Sequence, residues 1–199
     1  ILSEKLNCSP YEALINKFEP QANEKDIKII FKNLEKFLNP LINKIIEKQK
    51  KEEMLPINNL MTQEQQKEIG LFLMKKIGFD FTRGRLDTSQ HPFCGGAYQD
   101  IRITTRYNEK DPFSSLEGIM HETGHAMYEL NLPSRWKYQP AGQSRGMAMH
   151  ESQSLLIEMQ ITRSKAFKKF LSGVLKNNFN FIEACWNTEN IYKIGTRVN

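Results

Sequence analysis

The sequence has few cysteines, no long apolar run and no large excess of charge of one sign, and each scarcity excludes a class of protein. Its 3 cysteines, Cys8, Cys94 and Cys185, are odd in number and far apart. This pattern argues against a disulfide framework and favours a reducing compartment. No apolar stretch approaches the roughly 18 residues of a transmembrane helix, and the polar segment "ILSEKLNCSP" does not resemble a signal peptide. We therefore expect no membrane span.

Charge is nearly balanced along the chain. It has 28 Lys and Arg against 23 Asp and Glu, which gives a formal net charge of +5 at pH 7. The basic residues are dispersed, whereas nucleic-acid binding requires a clustered stripe with interleaved aromatic side chains. We therefore expect no nucleic-acid partner.

Local signals in the first 80 residues predict helices. The segment "SPYE" (9–12) is a capping box with proline at the first helical position. Apolar residues recur at helical spacing over residues 25–48, which predicts a long amphipathic helix with a kink near Pro40. A third helix is expected over 62–76, with Gly78 just beyond its end.

The middle of the chain has a different character. Glycines and β-branched residues in 79–107 predict two or three short strands joined by turns. Helical periodicity returns over 116–130, a loop follows over 131–146, and a helix is expected over 147–171 with weaker helical signals to about residue 194. We find no internal repeat or low-complexity linker. The prediction is therefore a mainly α protein with a small β insert, in a single domain over 1–199.

The segment "GIMHETGHAMYEL" (118–130) contains the pattern H-E-x-x-H. On a helix, His121 and His125 lie one turn apart on one side, so both imidazoles can reach one ion. Glu122 lies beside that face, where it could accept a proton from a metal-bound water. The alternative is a surface helix with two unremarkable histidines.

A third ligand decides which metallopeptidase chemistry to expect. The metzincin pattern requires a glycine and a further histidine, but Tyr128 and Asn131 occupy those positions. A His₂Glu site instead takes a carboxylate from a following helix, and Glu151 in "MHESQS" satisfies this requirement. Two antiparallel helices could then present His121, His125 and Glu151 to one ion, with a fourth position left for water.

Three further residues could contribute to such a site. Glu129 and Glu158 are alternatives as ligands or as partners of the ligands, although surface positions suit both. His150 lies about 100° around the helix from Glu151, so it cannot easily point in the same direction. We expect His150 to support a ligand or to face the substrate, with a purely structural role as the alternative.

Four motifs occur in order along the chain: "HPF" (91–93), "DIRIT" (100–104), "HETGH" (121–125) and "HESQS" (150–154). Together with flanking text such as "FDFTRGRLDTSQHPF", they resemble the thermostable carboxypeptidase family. This group of HExxH metallopeptidases, also called the carboxypeptidase Taq family, is marked by HPF, DxRxT, HExxH and HES motifs. The similarity extends across nearly the whole chain.

The resemblance implies a zinc metallocarboxypeptidase, with cobalt as an alternative metal, that releases C-terminal amino acids from peptides with a free C-terminus. It implies a mainly α HExxH metallopeptidase fold with a small antiparallel β-sheet near the active site. It also implies a cytoplasmic homodimer when the full enzyme is assembled. Matched by position, His121, His125 and Glu151 are the metal ligands, and Glu122 is the general base that deprotonates zinc-activated water.

The other two motifs supply candidate substrate contacts. His91 and the Asp100–Arg102–Thr104 set match family motifs that line the site, and we expect His91 and Arg102 to contact substrate and Asp100 to support them. The alternative is structural, because Asp100 and Arg102 are two apart on a strand, share a face and could simply pair.

The chain departs from the family pattern at both ends. The long N-terminal helical region and the later motifs IRxxAD and GxxQDxHW are missing, so the resemblance implies a central, partial catalytic domain. Arg102 and Arg106 are the local candidates for the cation that an exopeptidase needs to pair with the substrate carboxylate. Two alternatives to a carboxypeptidase follow: a truncated metal-binding remnant without peptidase activity, and an HExxH endopeptidase.

Overall fold

The computed structural model describes residues 1–58 and 60–198, and the chain is mainly helical as predicted. The helices are α1 (Leu2–Leu6), α2 (Pro10–Phe18), α3 (Glu24–Gln49), α4 (Gln63–Lys76), α5 (Pro112–Leu130), α6 (Met147–Leu155), α7 (Lys165–Phe179) and α8 (Thr188–Gly195). The strands are β1 (Gly84–Thr88), β2 (Phe93–Ala97) and β3 (Asp100–Thr105). A π-helical segment, Leu156–Thr162, follows α6 directly, and short 3₁₀ turns occupy Ser134–Trp136, Pro140–Gly142 and Ala184–Trp186.

The described chain divides into two compact units. The first contains Ile1–Glu53 and Arg145–Met149 together with Arg197 and Val198, and the second contains Met54–Ser144 and His150–Thr196. The single domain expected from the sequence stays a prediction.

The first unit is built mainly from α2 and α3. The capping box predicted for α2 is present, since the Glu12 N–H donates to Ser9 Oγ at 3.1 Å and the Ser9 N–H donates to Glu12 Oε2 at 3.3 Å. Helix α3 continues through Pro40 as one element. Several large apolar side chains of these helices are exposed, namely Tyr11, Leu14, Phe18, Ile29, Ile30, Phe31, Leu34, Phe37 and Leu38.

The sheet lies in the second unit and has the order β1-β3-β2. Strands β2 and β3 pair antiparallel, as expected for a tight hairpin, but β1 and β3 pair parallel. The expectation of a wholly antiparallel sheet is therefore corrected to a mixed one. The chain reverses direction after β1 and again after β2, so β3 runs in the direction of β1 and occupies the central position.

Helix α5 is the central element of the second unit, because its two sides contribute to two apolar clusters. One cluster joins α5 to α4, α7 and α8, and its buried members include Ile69, Leu73, Leu116, Met120, Leu175, Trp186 and Ile191. The other joins α5 to the sheet through Leu86, Ile101, Ile103, Ile119 and Ala126. Each large apolar side chain so buried contributes roughly 1.5–3 kcal/mol, so packing fixes α5 on both sides.

The helix expected over 147–171 is divided in the structure. Helix α6 ends at Leu155, the π-helical segment follows, and α7 begins at Lys165. Ser164 caps α7 by accepting a hydrogen bond from the Phe167 N–H at 3.1 Å, a local signal that ends the preceding helix.

In the described residues, no helix combines the length and apolar character needed to cross a membrane.

Candidate metal centre

One face of α5 carries four ionisable side chains at intervals of four residues: Glu117, His121, His125 and Glu129. This spacing stacks them along one side of the helix. The helix begins at Asp111, whose Oδ1 accepts a hydrogen bond from the Ser114 N–H at 3.3 Å. Because the flanking faces of α5 are buried in the two clusters, the orientation of the histidine face is set by the core.

The structure brings together the three residues that the sequence proposed as ligands. Ligand atoms of His121, His125 and Glu151 all lie within 4.8 Å of one another. His121 Nε2 is 3.6 Å from Glu151 Oε1, and His125 Nε2 is 3.3 Å from Glu151 Oε2. Two imidazoles and one carboxylate are a donor set that catalytic zinc sites in general use, with a fourth position left for water or substrate.

The other nitrogen of each imidazole ring already has a partner. His121 Nδ1 donates to Glu158 Oε2 at 2.9 Å. His125 Nδ1 lies 2.6 Å from His150 Nδ1, and His150 Nε2 lies 2.7 Å from Glu129 Oε1. A carboxylate only accepts hydrogen bonds, so a neutral His150 carries its proton on Nε2 and donates it to Glu129. His150 Nδ1 is then an acceptor. The hydrogen bond between the two Nδ1 atoms therefore requires that His125 carry its proton on Nδ1. The Nε2 lone pairs of both histidines are therefore free to coordinate, and the site fits a divalent metal.

The same contacts show where the carboxylates of Glu158 and Glu129, the two alternative ligands, lie. Glu158 and Glu129 are at the outer side of the histidine pair, one touching His121 directly and the other reaching His125 through His150. His150 thus lies in contact with the proposed ligand His125, and its supporting role stays a prediction.

A glycine inside the motif allows the two helices to approach. A Cβ atom on Gly124 would lie 2.5 Å from the Ser154 Cα and 2.7 Å from the Gln153 carbonyl oxygen. No side chain fits there, so α6 packs directly on the α5 backbone and presents Glu151 to the histidines. The sequence reasoning missed this role, although a glycine in the middle of a predicted helix was a usable signal.

Burial alters the ionisation of two groups at the centre. Glu122 is 8% exposed, and burial raises the pKa of its carboxyl, an effect that His121 opposes. Burial, followed by the neighbouring His150 and His121, lowers the pKa of His125, which favours the neutral imidazole that a metal requires.

The "HPF" and "DIRIT" motifs contact each other. Thr104 Oγ1 donates to the His91 carbonyl oxygen at 3.1 Å, and Ser89 Oγ donates to Thr104 Oγ1 at 2.8 Å. Arg102 and Asp100 form an exposed ion pair with an N–O distance of 2.9 Å. Strand alternation places this pair on the sheet face opposite Ile101, which packs toward α5. The structure thus joins the two motifs to each other and does not bring Arg102 into the histidine cluster.

A cleft of about 410 Å³ lies beside His150 and the edge strand β2. Its lining includes Cys94, Glu129 and Lys137, of which the sequence reasoning proposed neither Cys94 nor Lys137 for the site. Burial, with a contribution from Glu122, raises the pKa of the Cys94 thiol to about 12, so this group is an uncharged wall rather than a nucleophile.

The helix, the motif and the donor set define a class: an H-E-x-x-H helix with a glutamate from a following helix is the arrangement typical of His₂Glu metallopeptidases. Comparison with known proteins narrows the class. The chain belongs to the carboxypeptidase Taq (M32) metallopeptidase family, whose model matches residues 1–199. This confirms the resemblance seen in the four motifs.

Named relatives and solved structures agree with the family. Thermostable carboxypeptidase 1 of Pyrococcus furiosus is 37% identical over 186 residues, which cover 92% of this chain and 37% of that protein. Carboxypeptidase 1 of Bacillus subtilis is 37% identical over 159 residues, which cover 79% of this chain and 32% of that protein. The structure of Trypanosoma cruzi metallocarboxypeptidase 1 matches with a TM-score of 0.94 and 38% identity, over 100% of this chain and 40% of that one. The chain thus spans two fifths or less of these relatives.

Proposed function

We propose that this chain carries the metal centre of a carboxypeptidase that releases C-terminal amino acids from peptides with a free C-terminus. The observation that supports it most is the convergence of His121, His125 and Glu151 beside the buried Glu122 in a member of a metallocarboxypeptidase family. The proposal includes zinc as the metal, with cobalt as an alternative. It also includes a cytoplasmic location, and a homodimer of the assembled enzyme, as the resemblance implies.

In the proposed reaction a bound divalent metal supplies Lewis acidity, which acidifies water and polarises the scissile carbonyl. Glu122 accepts a proton from the attacking water and delivers it to the leaving amine. Its raised pKa suits this role, because it makes the carboxylate a stronger base toward water. His150 and Glu129 hold the His125 ring in the tautomer that leaves Nε2 free.

Exopeptidase specificity needs a cation that pairs with the terminal carboxylate of the substrate. His91 and Arg102 stay proposed substrate contacts, with Asp100 holding Arg102 through the ion pair described above. Arg102 is already paired with Asp100 on the outer sheet face, so it is not free to bind a substrate carboxylate near the histidines. This observation favours a second candidate function. It is a metal-binding chain without peptidase turnover, in which the carboxylate of a substrate is not bound.

Two peptides of the same sequence, one with a free and one with an amidated C-terminus, distinguish these functions. We expect the zinc-loaded chain to release single C-terminal residues from the free peptide alone, as measured by mass spectrometry. Glu122→Gln should keep the metal and lose this activity by roughly 10²–10⁴-fold. Equal internal cleavage of both peptides would indicate an endopeptidase. If zinc is bound but neither peptide is cleaved, the result would support a metal-binding chain without peptidase activity.

A further inference from the structure

Glu158 connects a proposed metal ligand to an arginine. One carboxylate oxygen, Oε2, accepts from His121 Nδ1 at 2.9 Å, and the other, Oε1, accepts from Arg163 Nη2 at 2.8 Å. The side chain of Glu158 is 16% exposed, so both interactions are partly shielded from water. Because both oxygens are engaged, the carboxylate has a defined orientation.

The π-helical segment creates this pair. The Arg163 N–H donates to the Glu158 carbonyl oxygen at 3.2 Å, and Thr162 Oγ1 donates to the Ile157 carbonyl oxygen at 2.9 Å, both across five residues. In this register residue 163 lies next to residue 158, whereas in an α-helix the neighbour would be residue 162. Single π-helical turns of this kind are frequent at functional sites.

Arg163 is in turn anchored on α5. Its Nη2 lies 3.2 Å from Glu117 Oε2, and the other oxygen of Glu117 lies 3.0 Å from Lys168 Nζ. Lys168 is 0% exposed and Glu117 is 13% exposed at the side chain. Glu117 is one helical turn before His121, so the network begins and ends on the helix that carries the metal-binding motif.

We propose that Glu158 and Arg163 are positioning residues for the metal, a role that rests on the metal site of the proposed function. Glu158 holds the proton of His121 on Nδ1, which presents the Nε2 lone pair to the ion and increases the basicity of the ring. Arg163 acts through Glu158, because it fixes the carboxylate and keeps it from turning toward the ion as a competing ligand. The support of His125 passes through His150 to Glu129, and within residues 1–58 and 60–198 no Lys or Arg pairs with that glutamate.

Zinc affinity of the full chain, measured by competition with a chelator, tests this role. Glu158→Ala should weaken zinc binding by roughly 10–100-fold, and Glu158→Gln, which removes only the charge, by roughly tenfold. Arg163→Met should weaken it by a smaller factor and Arg163→Lys should restore part of the loss. The visible absorption of the cobalt-substituted protein should change in Glu158→Ala, because the ring of one ligand is reoriented.

A double mutant separates positioning from general stabilisation. If Arg163 acts through Glu158, the variant with both Glu158→Ala and Arg163→Met binds zinc no more weakly than Glu158→Ala alone. Arg85→Met removes an arginine of an exposed ion pair with Asp87 and serves as the control with unchanged affinity. Circular dichroism identifies variants that do not fold. If Arg163→Met does not fold, the same comparison of zinc affinity is made with Arg163→Lys and Glu158→Gln, singly and together.

Three results would overturn the inference. Zinc affinity of Glu158→Ala within twofold of the parent chain would remove Glu158 from the role. Additive losses in the double mutant would show that Arg163 acts independently. Absence of zinc binding in the parent chain would instead contradict the proposed function, and the positioning role with it.

Discussion

At the scale of single residues, the candidate site depends on which nitrogen of each histidine is already engaged. Both Nδ1 atoms are bonded to outer partners, Glu158 for His121 and His150 for His125. The three proposed ligands could be named from the sequence, because helical spacing places two histidines on one side and a glutamate follows on the next predicted helix. Glu129, Glu158 and His150 were named as candidate partners, but which of them meets which histidine was not predicted, because these contacts join separate helical segments.

A prediction at this scale concerns the buried Lys168. Burial lowers its pKa from 10.5, and Glu117 opposes the shift. Between the lowered folded pKa and 10.5 the unfolded chain binds more protons than the folded one, so the contribution of Lys168 to stability increases with pH. The unfolding free energy of the parent minus that of Lys168→Met should therefore rise with pH in the window just below pH 10.5.

Urea denaturation at several pH values measures this difference. Lys165→Met, which removes an exposed ammonium group paired with Glu189, is the control for loss of a surface charge. If the unfolding free energy of the parent minus that of Lys168→Met falls as the pH rises, the pKa of Lys168 is raised in the folded chain. The interaction with Glu117 would then outweigh burial.

At the scale of elements, the approach of α6 to α5 determines whether the carboxylate reaches the histidines. Gly124→Ala would place a methyl group against the backbone of Gln153 and Ser154. Alanine favours a helix over glycine by about 1 kcal/mol, but the overpacking costs typically 1–3 kcal/mol and moves α6 outward. We expect lower stability and markedly weaker zinc binding, measured by urea denaturation and metal competition.

Gly173 offers a matched control on α7. A Cβ atom there would have no neighbour within 4 Å, so Gly173→Ala should leave zinc binding unchanged and stabilise the chain by about 0.5–1 kcal/mol. Equal behaviour of the two alanine variants would argue that the close approach at Gly124 is not required.

The elements also show why some predictions succeeded and others did not. Helix starts at Ser9 and Thr62 were predictable because a capping box is a contact between near neighbours in sequence, and both boxes are present. The division of the helix expected over 147–171 and the parallel pairing of β1 with β3 were not predicted. The strand pairing depends on contacts between distant segments, which periodicity does not register. The division of the helix was missed although the Ser164 cap is a local signal.

At the scale of the whole molecule, apolar burial differs between the two units. In the described part of the first unit, Ala13 is the single buried apolar side chain, whereas the second unit contains all the other buried apolar residues. The side chains of Phe31 and Phe37 on α3 are 65% and 62% exposed. The amphipathic pattern of α3 was therefore predictable, but the exposure of its apolar residues was not.

This difference predicts unequal local stability. Amides of α3 should exchange with solvent markedly faster than those of α5, because opening α3 exposes little buried apolar surface. Hydrogen exchange followed by mass spectrometry measures both helices in one sample. Equal protection of α3 and α5 would contradict the account of where the stability of the chain lies.

The central claim is that His121, His125 and Glu151 hold one divalent metal ion. Its most direct test is the zinc content of the purified, zinc-loaded chain, compared with Glu151→Ala and with Glu189→Ala as a control for an exposed glutamate. We predict one zinc per chain in the parent and in Glu189→Ala, and zinc lost from Glu151→Ala. An unchanged zinc content in Glu151→Ala, or no zinc in the parent chain, would contradict the account.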